Sequence, residues 1–275
     1  MRHMHQGGTS RHFTVKGGWE RRGPGPLTLL TVALALVLSS CEPTVERAPD
    51  EAPALSSQSA RLAGTPRWAP TAALGSARSG HTVTLLSPGK VLVVGGEGLS
   101  GSLTTAELFD LATGAWASTG SLSQARRDHT ATRLRSGKVL VAGGQGSGGP
   151  LSSAELYDPA TGAWTVTSTP SEARKHHTAT LLPSGLVLVV GGQGPNGPLS
   201  SAELFDPATH AWTPTGSLAQ ERGLSTATLL PSGKVLVVGG EGPNGPLSNA
   251  ELFDPATGTW TPTSALSEAD RKSVV

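Results

Sequence analysis

From Trp68 onward the apolar positions fall in short bursts rather than in helical stripes. A segment such as HTATLL alternates around polar residues, the turn Pro183-Ser184-Gly185 follows, VLVV then runs into a pair of glycines, and AELFD and AW complete the unit. Short bounded runs rich in Val, Leu and Thr predict strands rather than helices, four to a unit and antiparallel. The unit recurs without gaps. Trp68, Trp116, Trp164, Trp212 and Trp260 stand 48 residues apart, and so do the pairs Gly95-Gly96, Gly143-Gly144, Gly191-Gly192 and Gly239-Gly240. Phe109, Tyr157, Phe205 and Phe253 keep the same interval. A fixed period of this length marks a repeat architecture in which one unit cannot bury its apolar face alone.

The turn before each tryptophan is legible in Asp158-Pro159-Ala160-Thr161-Gly162. Aspartate accepts backbone N–H bonds, proline fixes φ, and glycine permits the φ > 0 exit. Leu111 replaces the proline in one copy and His210 the glycine in another. Composition agrees with a turn-dense all-β chain, with 36 Gly, 21 Pro and only 15% charged residues. Its 21 basic and 20 acidic residues nearly cancel, so there is no electrostatic argument for nucleic acid as a partner.

A hydrophobic strand ending in Gly-Gly, an aromatic about thirteen residues later and a tryptophan seven beyond it together resemble the kelch motif. The resemblance runs from about Trp68 to the C-terminus. It implies a β-propeller with blades of four antiparallel strands, in which the double glycine lets neighbouring backbones approach while the aromatic and the tryptophan pack between blades. Four complete 48-residue repeats are expected to leave the ring incomplete. Trp68 would belong to a surplus outer strand, and TPTSALSEADRKSVV restarts the repeat at the other end. An intact parent would then have at least five blades, and the open sheet edge offers a route to self-association.

Ahead of the repeats, Arg21 and Arg22 precede an apolar run from Leu27 to Leu38, too short to span a bilayer as a helix but suited to a signal peptide. The stretch Leu38-Ser39-Ser40-Cys41 resembles the lipobox of bacterial lipoproteins, which implies cleavage before Cys41 and lipid attachment to its sulfur. The chain then divides into a signal peptide over 1–40, a Pro-, Ala- and Ser-rich tether over 41–64 that cannot offset its chain entropy by burial, and a repeat domain over 65–275. Cys41 is the sole cysteine, which excludes an internal disulfide and a thiol metal site.

Three sets of polar residues recur within the repeats. Glu107 and Asp110, with their equivalents, face opposite sides of a strand, so they read as a strand residue and a turn former rather than a catalytic pair. His81, His129 and His177 share a column at the start of the innermost strand, where the fourth copy has Ser225. Equivalent positions on separate blades are expected to lie too far apart to ligate one metal. Arg78, Arg126, Arg174 and Arg222 precede that column by three residues. Arg-x-x-His is generic to kelch repeats and reads first as salt-bridged or solvated structure. The sharper alternative is that the arginines and histidines form a face for carboxylate-bearing ligands. With tryptophan in a packing column and arginine in a surface column, Arg174→Ala is expected to cost far less stability than Trp164→Ala.

The family includes galactose oxidase, whose copper-radical centre needs two tyrosines, one of them joined to a cysteine. This chain has Tyr157 alone, in a packing column, and Cys41 in the lipobox. The loops QGSGGPLS, QGPNGPLS and EGPNGPLS are nearly the same loop, which argues against one differentiated active site. The expected function is therefore binding or scaffolding of a protein or glycan at the cell envelope, lipid-anchored at a bacterial outer membrane or surface, with neither catalysis nor cofactor. A glycosidase- or lyase-class propeller with its site in missing blades, or a purely structural envelope protein, are the alternatives. Metabolic labelling with a fatty acid is expected to mark the chain, and Cys41→Ala to abolish the label and release the protein from membranes. An unlabelled wild type with equal retention of the variant would overturn the lipoprotein reading.

Overall fold

A computed structural model describes residues 70–267. Trp68, Cys41, the lipobox and the tether lie outside the described residues.

Four successive sheets, each of four antiparallel strands in chain order, make up the described part. The second blade shows the plan, with strands Thr130–Arg133, Val139–Ala142, Ala154–Asp158 and Ala163–Val166 from innermost to outermost. The other innermost strands are Thr82–Leu86, Thr178–Leu181 and Thr226–Leu229. The VLVV-type second strand is buried on both faces in the second and third blades, because each blade is sandwiched between two others. Each loop after the double glycine closes as an additional two-residue hairpin, such as Gln193–Gly194 with Gly197–Pro198, which strand periodicity alone does not reveal.

The core lies between blades. Leu92, Val94 and Ala106 of the first blade meet Val139, Val141 and Tyr157 of the second, with Trp164 packed against them. The same arrangement recurs between the second and third blades and between the third and fourth. Each aromatic pairs across strands with the tryptophan of its own blade, at centroid separations of 4.9–5.0 Å and interplanar angles of 44–46°. Such tilted contacts add to the area that the rings bury. Three of the indole N–H groups then donate to a backbone carbonyl 44 residues upstream, as from Trp164 Nε1 to Gly120 O at 2.7 Å. Gly120 must be glycine, since a Cβ there would lie 2.2 Å from Gly162 O. Where Ser168 takes its place the fit changes: Ser168 Oγ donates to His210 O, and Trp212 Nε1 has no partner.

The double glycine does bring neighbouring backbones together. Gly96 N donates to Arg126 O of the next blade at 2.9 Å, and a Cβ on Gly95 would sit 2.5 Å from the same carbonyl. Among the described residues no core cluster joins the fourth blade to the first. Val91 and Phe109 on one terminal face are only half-buried, where Val139 and Tyr157 are sealed.

Candidate functional site

Three blades are entered through Arg-x-x-His and the fourth through Arg-x-x-Ser, and in each the arginine turns back into the blade. Arg126 Nη1 donates to Gly143 O and Ser153 O at 2.8 and 3.0 Å, while Nη2 donates to Ser153 Oγ and Glu155 Oε1 at 3.0 and 2.9 Å. The pairs Arg78–Glu107, Arg174–Glu203 and Arg222–Glu251 repeat it at 2.5–2.9 Å. The second carboxylate oxygen accepts a backbone N–H from the segment leading into the blade, from Gly75, Ser123, Ser171 or Ala219, at 2.7–2.9 Å. One ion pair thus fastens the second strand, the third strand and the incoming chain.

This burial corrects the expectation of an arginine ligand face. The side chains of Arg78, Arg126, Arg174 and Arg222 are 0–2% exposed, and their Nη donors bond within the blade. Trp164 is half-buried and Arg174 is sealed, which is an argument against ranking the loss of Arg174 far below that of Trp164. The recurrent glutamates are the arginines' partners, and the aspartates cap turns, as Asp110 Oδ1 does by accepting from Ala112 N at 2.8 Å.

The histidines link blades. His129 Nε2 meets Thr82 Oγ1 at 2.9 Å and His177 Nε2 meets Thr130 Oγ1 at 2.8 Å, each on the preceding blade. The rings are spread one to a blade, and no cluster with metal-ligand geometry occurs among the described residues. Burial, reinforced by the charge of Arg126 and by His81, holds His129 down at about 3, so its ring is neutral at pH 7. Burial and the charge of Arg78 lower His81 as well.

The two positions that follow the arginine differ in every blade: Ser79-Gly80, Arg127-Asp128, Lys175-His176 and Gly223-Leu224. Gly80, Asp128, His176 and Leu224 all take φ of 51–60°. A backbone ladder holds them, from Asp128 N to Gly80 O at 2.8 Å, His176 N to Asp128 O at 3.2 Å and Leu224 N to His176 O at 2.9 Å. Left-handed backbone is tolerated by Gly, Asp and His but is an outlier for leucine, so the ladder imposes it at Leu224. The ladder forms an inner rim that carries mixed charge. Arg127 pairs with Glu97 and approaches Asp128 Oδ2 at 3.4 Å, and His176 Nε2 lies 3.8 Å from the same oxygen. Sequence reasoning missed this rim by comparing the loops after the double glycine. The signal was the variable pair that follows a constant arginine.

Residues 80–272 match the KLHDC2/KLHL20/DRC7 Kelch-repeats domain. No curated protein sequence matches the chain. Among solved structures, 294 chains match. One, described as the structure of YjhT, is 15% identical with a TM-score of 0.63, covering 77% of this chain and 78% of its own. That likeness is one of fold.

Two outcomes test the buried polar columns. Arg174→Met is expected to lower unfolding free energy by about 3–5 kcal/mol in denaturant titration, because it strands the buried Glu203 carboxylate. Arg174→Met/Glu203→Met is expected to cost less than the sum of the single changes. For His129, the unfolded chain takes up a proton near the ordinary histidine value of 6.5, whereas the folded chain does so only near 3. Protonation therefore favours unfolding, and stability falls as pH drops from 6.5 towards 4, with a slope approaching about 1.4 kcal/mol per pH unit for this group. His129→Gln is expected to flatten that slope.

Proposed function

The chain belongs to the kelch-repeat family, and from that premise we propose that it is an extracytoplasmic, lipid-anchored binding or scaffolding protein. It recognises a protein or glycan of the cell envelope and carries out no catalysis. The observation that supports this most is the division of labour within the repeat. The Arg, Glu, double-glycine and aromatic columns are used up in building blades, whereas the pair at the inner rim changes with each blade while its backbone stays fixed by the ladder. A rigid frame presenting unlike side chains suits recognition. Cationic Arg127 and Lys175 beside anionic Asp128 favour a partner of mixed charge over a polyanion. Cys41 and the 41–64 tether supply the anchor, supported by the order of charge, apolar run and lipobox in the leader.

The test transplants the first blade's own pair, as Arg127→Ser/Asp128→Gly and, separately, Lys175→Ser/His176→Gly, into the full chain in detergent. Both replacements suit the backbone of the ladder. Capture of envelope components, read by mass spectrometry, is expected to fall at least tenfold for the partner that wild type enriches, with the β-sheet circular dichroism unchanged. Undiminished capture by both variants would move recognition away from the rim.

A further inference from the structure

The histidine column breaks once, beside a cavity. In the first two blade junctions a threonine hydroxyl meets the imidazole 47 residues downstream, Thr82 with His129 and Thr130 with His177. The third junction has Thr178 opposite Ser225, whose side chain is far shorter. Both Thr178 Oγ1 and Ser225 Oγ are buried without a partner, and Ser225 is 1% exposed. The glycines record the same vacancy. A Cβ on Gly95 or Gly143 would lie 3.0 or 2.8 Å from Cε1 of the next blade's histidine, whereas one on Gly191 would meet backbone and Arg222 atoms but no ring. A cavity of about 280 Å³ opens there, lined by Thr130, His177, Thr178, Ser225, Thr226 and Ala227 among others.

We infer that this cavity is a binding site for one uncharged sugar unit. Buried hydroxyls without partners carry a standing cost that a ligand or water relieves by donating and accepting. Among the described residues, none that lines the cavity is acidic or is a lysine or arginine, so nothing there compensates a charged ligand. Hydroxyls from three threonines and a serine, set beside alanine methyls, match the alternating polar rim and apolar ring face of a neutral hexose. The inference rests on the binding reading above and selects the glycan from its two partner classes.

The decisive variant is Ser225→His, which rebuilds the column with its own residue. It narrows the cavity beside Thr178, gives Thr178 a partner and is expected to raise the denaturation midpoint, so loss of binding cannot be ascribed to unfolding. Saturation-transfer NMR on the detergent-solubilised full chain, with glucose, galactose, mannose and N-acetylglucosamine as probes and glucuronate as the charged control, reads the site. Wild type is expected to show transfer to at least one neutral sugar and none to glucuronate, and Ser225→His to weaken that binding at least tenfold. Transfer that survives in Ser225→His overturns the assignment, as does a stabilised variant with no neutral sugar bound by wild type, which would mean water only. Either failure leaves the rim-dependent capture standing. Undiminished capture by both rim variants, with Ser225-dependent sugar binding intact, would instead fail the rim reading alone.

Discussion

The fold depends on a guanidinium sealed against a carboxylate inside every blade. The chain must cross from the outer edge of one sheet to the inner edge of the next, and the crossing buries carbonyl and amide groups that no strand ladder pairs. Arg126 supplies donors to the Gly143 and Ser153 carbonyls at the ends of the second and third strands, and Glu155 accepts from the arriving Ser123 amide. Taking both charges out of water is costly, and the arrangement holds because nearly every donor and acceptor is used. The exception is Nε of Arg126, Arg174 and Arg222, which finds no partner. Each blade thereby becomes rigid enough to offer its faces for apolar packing.

That packing was the most legible part of the sequence. A Trp and an aromatic at fixed spacing, a glycine pair and an Asp-to-Gly turn each have one economical structural role, and each took it. The arginines were harder to read, because charge predicts exposure when no partner is visible. The partner was nonetheless written in the repeat: Arg78 and Glu107, Arg126 and Glu155, Arg174 and Glu203, and Arg222 and Glu251 are all 29 residues apart. Two opposite charges recurring at one interval, on elements that must pair, identify a buried bridge. The inner rim escaped notice for the opposite reason, since variation between repeats is seen only after the constant frame is recognised as structure.

Departures from the repeat come in compensating or uncompensated forms. Ser168 and His210 change together, and a new hydrogen bond joins them, although the indole of Trp212 loses its acceptor. Ser225 replaces a histidine with nothing filling the space. A compensated departure keeps the interface closed, and an uncompensated one opens room within it.

The contacts between blades also fix how such an array can grow. The indole reaches 44 residues back, the histidine 47, and the glutamate takes an amide 32 residues upstream. No contact of these kinds needs a residue more than one repeat away. A recombination that adds or removes a whole 48-residue unit therefore creates only junctions the chain already knows how to pack. One that cuts at any other length misaligns arginine with glutamate and exposes both. The buried charge pair acts as a reading frame for duplication, and blade number can drift in evolution while blade structure cannot.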